Sequence, residues 1–589
     1  MRDILDTVRA AWPMLWRAVA SAQLFRPQCK LTVADPDVLC DYDLEVPIDG
    51  GVVLTTNVFR SRARSGSGKA DPVVMCAHPY DNHLTPALGK TPLSGPPQQY
   101  RLIPQAGGMP EFSALTSWEA PDPDFWVRAG YTLVNLNLPG YANSGGEAGL
   151  VSRQQGRDYY AAIKWVSAQD WCDGHVGLTG VSYLAISQYH AAAAAADDGE
   201  DSPLKCISPW EGFSDLYRDV VCRGGVEDVG FLNFWWHTEV KETLNNAREA
   251  FIEREGALPQ ELLGVYPFFD DYWNEKAVDF EVIRTPMLVC GSFSDHELHT
   301  PGSFRAFERA RSQRKWLYTH RRGKWTAFYS DEVKELVRDF MDHFLKGASN
   351  RFNGLSPVRL EVRSNGGEIW DERWERDCPL PSTHYQPLYL SNTGLVTELP
   401  EEASELSYRV SDGLATFDFR FEHDTELSGH MKLRIWIEAR PERSGEAPPD
   451  DMVLCVFIDK RDSVGRSVRF NGSVGISDDV VTRGYVRVSR RELDEERSAD
   501  WLPVPLGSTE HKLRAGQVVP VDVALCPSST FFAAGETLRL IVSPTEIVRA
   551  PIFRKDTSLN TGTHVLHFGG GYDSHLLVPS VPVTSGSEN

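Results

Sequence analysis

Up to about residue 350, short β-branched and aliphatic runs alternate with stretches whose apolar residues recur at helical spacing. Val73-Val74-Met75-Cys76, Leu133-Val134-Asn135-Leu136, Val176-Gly177-Leu178-Thr179, Met287-Leu288-Val289-Cys290 and Trp316-Leu317-Tyr318 read as buried strands. Between the second and third, Tyr159, Ala162, Ile163 and Val166 fall on one face of a helix. The alternation predicts a mostly parallel sheet covered on both sides, because parallel neighbours need crossovers and the crossover helices lie on the faces. Ahead of these strands, Val46-Pro47-Ile48 and Val52-Val53-Leu54 flank Asp49-Gly50-Gly51, a hairpin signal.

Residues 211–284 break the alternation with helical patterns rich in aromatics. They predict a helical cap inserted between two strands. Most of its aromatics are expected to pack the insertion onto the body, while Phe231, Trp235 and Trp236 are expected to line a substrate pocket. Residues 331–345 read as a helix with Ser330 as N-cap, Asp331 and Glu332 at its positive end and Gly347 past its last turn. After the linker 348–357 the period switches to two, as in Leu433 to Glu438, Val453 to Ile458 and Leu538 to Val542. Many strands and little helix predict a β-sandwich of jelly-roll type. The expected organisation is an α/β domain over 1–350 with its cap at about 211–284, followed by an all-β domain over 356–589.

Composition narrows the function. The 589 residues are 41% hydrophobic and 24% charged, the profile of an ordinary globular protein. Sixty basic against 82 acidic side chains leave a net charge of −22, which argues against nucleic acid as a partner. No run approaches the ~18–20 apolar residues that cross a bilayer, and the N-terminal apolar run is broken by Arg9 and Arg17, so no membrane partner or secretory signal is expected. The ten cysteines are scattered, with no C-x-x-C pair. A cytoplasmic protein is expected, with no metal and no cofactor; a homodimer is left open.

The chemistry concentrates at Val176 to Ala185, where a strand runs through Gly180-Val181-Ser182-Tyr183-Leu184 into an alanine-rich helix. A serine on a tight strand-to-helix turn is a nucleophile elbow, which pushes the hydroxyl out of the sheet toward a base. The N–H after the serine, here that of Tyr183, then points at a developing oxyanion. A serine N-cap after a buried strand would leave the same trace.

The context of this segment resembles the cocaine esterase and Xaa-Pro dipeptidyl-peptidase (CocE/NonD) family of serine hydrolases. The family's elbow reads G-x-S-Y-x-G. Gly156 to Tyr160, Trp165, Gln169 and Trp171 to Gly174 are similar to the helix and turn before it. Pro79-Tyr80, Gly130-Tyr131, Pro139 to Ser144, Pro527 to Leu540 and His567 to Gly570 extend the likeness along the chain from about residue 40. Ala185 departs from the family's glycine, and Pro139-Gly140 stands where Arg-Gly is commoner. The resemblance implies an α/β-hydrolase domain followed by the jelly roll. It also implies that the Tyr80 phenol donates to the oxyanion beside the Tyr183 N–H.

In that superfamily the acid and then the histidine follow the serine. Asp295, ending the strand at 287, matches the family's acid; an aspartate there also caps turns. His320, ending the next strand, is the expected base, although Arg321-Arg322-Gly323 differs from the family's Trp-x-His ending. His296 and His299 stand too near Asp295 in sequence to face it easily, and His299 resembles a structural position of the family. His237 falls in the cap, and His78 is a candidate supporting residue. The expected function is serine hydrolysis of an ester, or an amide, of a small apolar or aromatic substrate through an acyl-enzyme. Ester cleavage is favoured over Xaa-Pro peptidase action because no large extra N-terminal domain and no amine-gripping carboxylate pair is evident. Acyl transfer or cyclisation by the same triad, and a catalytically silent ligand-binding homologue, are the alternatives.

Overall fold

The computed structural model describes residues 2–20, 28–66, 68–86, 100, 103, 107–245, 248–476, 478–548 and 550–583. Helix α1 (Arg2–Ala20) precedes a hairpin of β1 (Val38–Pro47) and β2 (Val53–Ser61). Then follow β3 (Asp71–His78), β4 (Thr132–Asn137), α2 (Arg153–Ser167), β5 (Cys172–Val181), α3 (Tyr183–Ala194) and β6 (Leu204–Trp210). After the cap come β7 (Met287–Ser292), α4 (Thr300–Arg309), β8 (Lys315–His320), α5 (Lys324–Phe328), α6 (Asp331–Leu345), β9 (Val358–Asn365) and β10 (Glu368–Glu375).

Pairing runs β1-β2-β4-β3-β5-β6-β7-β8-β9-β10. The strands from β4 to β9 are parallel, and the sheet departs from that only at its ends, where β1, β2 and β10 pair antiparallel. Every residue of β3, β4 and β7 is buried, which is why they read as continuous apolar runs. Tyr159, Ala162, Ile163 and Val166 form the buried face of α2. Ser330 caps α6 by accepting from the Val333 N–H.

The cap fills the chain between β6 and β7 with short helical pieces, among them two π-helical turns at Leu216–Val221 and Trp236–Val240 that flank the short helix Phe231–Trp235. Helix α1 lies against it, burying Ala10, Met14 and Ala18 and exposing Trp12 and Trp16.

The C-terminal domain is a sandwich. In one sheet β11 (Thr425–Arg440) pairs antiparallel with β14 (Val519–Phe532); in the other β12 (Val453–Arg461) lies between β13 (Thr482–Arg487) and β15 (Thr537–Ser543). Leu433, Ile435 and Ile437 alternate into the core against Leu454, Val456 and Ile458. The opposite face of β12 is buried too: Val453, Cys455 and Phe457 cluster with Tyr485, Ile541 and Val226 of the cap. The sandwich is thus packed against the hydrolase domain rather than tethered to it. The ten cysteines are free thiols.

Candidate active site

Ser182 sits between β5 and α3 with φ 59° and ψ −116°, a backbone conformation costly for a non-glycine residue and held here by its neighbours. Its N–H bonds to the Trp210 carbonyl, and Gly180 (φ 151°) lets the helix return across the strand: a Cβ there would meet the Leu184 side chain at 2.5 Å. Ala185, where the resembled family has glycine, is accommodated by Gly212, whose own Cβ would stand 3.0 Å from that of Ala185.

The Ser182 Oγ lies 3.1 Å from Nε2 of His299, and His299 Nδ1 lies 2.6 Å from Asp295 Oδ2. The expectation of His320 is therefore corrected. The Asp295 carbonyl accepts from the N–H groups of Leu298, His299 and Thr300, so the chain winds one helical turn that stacks residue 299 over residue 295. Closeness in sequence, taken to keep the pair apart, is what joins them: residues four apart share a face of a turn. The Asp295 side chain itself is buried against His299, as expected of the acid. Phe213 stacks on the His299 ring with centroids 6.2 Å apart.

His320 faces another carboxylate. Its Nε2 lies 3.1 Å from Glu211 Oε1, while its Nδ1 accepts the Arg322 N–H at 3.1 Å, and the ring stacks on Trp210. Glu211, His320 and Cys290 are buried with donor atoms close enough to ligate one ion, a juxtaposition the sequence spacing did not announce. The tautomer argues against a metal there. An Nδ1 that accepts a backbone N–H leaves the proton of a neutral imidazole on Nε2, the very atom a metal would need.

Tyr80 and Tyr183 line the same cavity as Ser182 and His299. The Tyr80 OH accepts a hydrogen bond from Trp235 Nε1 at 3.2 Å, which leaves its own proton to be donated. Burial pushes its pKa far up, with Glu119 and Glu239 adding to the effect, so the phenol stays protonated. His78 sets the turn into Tyr80 by accepting the Tyr80 N–H on Nδ1 at 3.2 Å. Tyr183 opens α3, and its N–H is among those that a helix start leaves without an intrahelical acceptor. The Tyr183 hydroxyl turns away, donating to Gln155 and accepting from the Val151 N–H.

The cavity is small and apolar, about 20 Å³, with Leu150, Val151, Ile186, Phe213, Leu216, Leu232 and Leu298 among its walls. Phe231 and Trp235 line it as expected. Trp236 does not: its ring packs inside the cap on Phe251, with centroids 5.0 Å apart, because consecutive helical residues point in different directions.

Behind Ser182, His299 and Asp295 lie groups that sequence reasoning missed. Lys324, the first residue of α5, is buried with Nζ 3.4 Å from Asp295 Oδ2. Glu119 (φ 61°) accepts from Trp325 Nε1 at 3.0 Å, and burial pushes its pKa up to about 7. Burial also pushes Asp295 up, but Lys324 and His299 outweigh it and hold the carboxyl below its usual range. For His299, burial comes first and Lys324 second in depressing the imidazole to about 4, with Asp295 opposing them. No motif announces such partners; they come from elements far apart in sequence.

The loop between Asp295 and His299 is pinned from the other domain. Glu297 accepts from Arg483 Nη1 at 2.8 Å and from the Tyr485 hydroxyl at 2.6 Å, both on β13, with Lys555 Nζ at 3.4 Å. The His296 carbonyl accepts from Arg223 of the cap.

Comparison with known proteins agrees with this architecture. Residues 49–326 match the family model of X-Pro dipeptidyl-peptidase (S15 family), and residues 350–577 that of the X-Pro dipeptidyl-peptidase C-terminal non-catalytic domain. The crystal structure of a CocE/NonD family hydrolase from Staphylococcus aureus superposes with a TM-score of 0.80 at 32% identity, covering 95% of this chain and 100% of that one. An α-amino acid ester hydrolase shares the fold, with a TM-score of 0.64 at 16% identity over 94% of this chain and 98% of that one. Cocaine esterase of Rhodococcus sp. (strain MB1 Bresler) is 27% identical over 319 residues, 46% of this chain and 53% of the relative, so that alignment spans about half of the relative's length.

Proposed function

The chain belongs to the CocE/NonD family of hydrolases, and on that premise we propose that it cleaves esters of short apolar acids through a Ser182 acyl-enzyme. The observation that carries the reading is the continuous chain Ser182 Oγ, His299 Nε2, His299 Nδ1, Asp295 Oδ2, with its links of 3.1 and 2.6 Å.

Ser182 Oγ attacks the ester carbonyl carbon as its proton passes to His299 Nε2. The negative charge forming on the carbonyl oxygen is held by the Tyr80 hydroxyl and the Tyr183 N–H. Donors fixed in place before the charge forms need no reorganisation, and one of them is worth about 2.7–4 kcal/mol. The imidazolium then protonates the leaving alkoxide as the carbon–oxygen bond breaks. Water, deprotonated by His299, attacks the acyl-enzyme, and the collapse releases the acid and returns the proton to Ser182. Asp295 holds the imidazole in the tautomer this cycle needs.

Substrate class follows from the walls. A cavity with the room of about one water molecule favours a short acyl group over a long one. Among the described residues its lining offers apolar side chains beside Tyr80, Ser182, Tyr183 and His299, and no carboxylate to receive a peptide's charged amino terminus. This supports ester cleavage over dipeptide release.

The test pairs a fluorophosphonate probe with substrates. Intact mass should show one adduct on the wild type, absent in Ser182→Ala. Across p-nitrophenyl esters, kcat/KM should fall steeply from acetate and butyrate to decanoate, and Xaa-Pro anilides should turn over far more slowly. An adduct surviving in Ser182→Ala, or a preference for the anilides, would reject the reading.

A further inference from the structure

The segment after β8, where a base from a separate strand was expected, delivers a lysine to the Asp295–His299 pair. Lys324 Nζ lies 3.4 Å from Asp295 Oδ2 and 3.3 Å from His299 Nδ1. With Nε2 accepting from Ser182, Nδ1 carries a hydrogen, so the ammonium and the imidazole N–H converge on one carboxylate oxygen. We propose that Lys324 is a positioning residue that sets the working pH of the site: its charge neutralises Asp295 and stands against the imidazole, keeping His299 able to take the Ser182 proton well into the acid range. The inference rests on His299 being the base.

The charged surroundings support it. Asp295 faces the imidazole from the same turn and Lys324 from the start of α5. Around the lysine, Glu211 at the end of β6, Glu119 before β4 and Glu239 from the cap complete the titratable set. Burial pushes Glu119 up to about 7 and Glu239 up to about 8, and holds Glu211 far above its usual range. Burial thus disfavours the charge of all three, whereas Asp295, held below its usual range by Lys324 and His299, is the carboxylate that meets the lysine. An aspartate whose charge is already matched gives an imidazolium little help. His299 therefore meets a nearby cation with only partial compensation, in a site where burial already disfavours charge.

The lysine could instead be a structural plug, satisfied by its carboxylates and silent in titration. The pH dependence of kcat/KM on a short aryl ester, and of the rate of fluorophosphonate labelling, separates the two roles. In the wild type the acid limb should have its midpoint well below the ~6.5 of an ordinary histidine. Lys324→Met keeps the length and removes the charge, and should raise that midpoint by about 1–3 pH units. Lys324→Arg should restore it toward the wild-type value. A wild-type midpoint at or above 6.5, or one that does not move in Lys324→Met, would overturn the proposal. If Lys324→Met does not fold, Lys324→Gln removes the charge in its place, and an unmoved midpoint there would overturn the proposal equally. His299→Ala keeps the two failures apart: labelling at the wild-type rate would remove the base, whereas lost labelling with an unmoved Lys324→Met midpoint would remove only the role of the lysine.

Discussion

Asp295 Oδ2 and His299 Nδ1 are 2.6 Å apart although only three residues separate them in the chain. The proposed acid and base thus ride on one turn, and their relative geometry is local, whereas Ser182 approaches from a different strand. His299→Ala should lower kcat by about 10⁴-fold or more with little change in thermal stability, as expected for a group acting as a unit with the serine. His320→Ala should do the reverse. It strands the buried Glu211 carboxyl and should cost about 1–3 kcal/mol in denaturant unfolding, while phosphonate labelling of the folded fraction persists. Labelling lost in His320→Ala and retained in His299→Ala would reverse the assignment.

The hydrogen bond from Trp235 Nε1 to the Tyr80 hydroxyl ties the cap to the proposed oxyanion donor. Tyr80→Phe should reduce kcat by about 10²–10³-fold, the effect of deleting one such donor. Trp235→Phe keeps an aromatic wall but loses the N–H that orients the phenol, so kcat should fall several-fold with KM little changed. In the Tyr80→Phe background that loss should vanish, which steady-state kinetics on the double mutant would read.

Glu297 is a buried charge between Asp295 and His299 in the chain and is held by Arg483, Tyr485 and Lys555. Burial pushes its pKa up, but Lys555, Arg483 and Arg223 outweigh that and keep it ionised. Arg483→Met, which removes one partner and leaves the carboxylate, should cost about 3–5 kcal/mol, the penalty of breaking a buried pair. Because the same loop carries Asp295 and His299, kcat should fall more than KM rises. Stability unchanged within error in urea unfolding would refute the anchoring role.

Buried histidines shape the acid side of stability. Burial holds His78 and His564 at about 4, below the ~6.5 of the unfolded chain. Between those values the unfolded state binds the extra protons. Stability should therefore be fully present above pH ~6.5 and decline as pH falls toward 4. Urea unfolding at pH 7 and 4.5 should show the loss, and it should shrink in His564→Gln.

Much of this was legible in the sequence where the physics is local. The parallel strands announced themselves because burial on both faces makes them uniformly apolar, and the elbow because strand, glycine, serine and small-residue helix must adjoin. The cap was visible as a break in period. Where the sequence misled, the cause was three-dimensional. Four residues looked like too short a separation for His299 until the chain coiled into a turn. Trp235 and Trp236 could not be told apart until helix phase sent one to the cavity and the other into the cap. Ala185 looked like a defect because its compensation, Gly212, lies on another strand's end, and Lys324 carries no motif at all.

The bond between Trp235 and Tyr80 makes the cap an interlock. Free space the size of one water is less than even a short acyl group needs, so on the proposed reading the walls would part to load the site, and Trp235 is one of them. If Trp235 is the wall that parts, loading would loosen the Tyr80 phenol and reseating Trp235 would restore it. Loading and bond-making would then alternate in time. For the best substrates the ceiling on turnover would then be set by how often the lid cycles, and added viscogen should slow those substrates while leaving poor ones untouched.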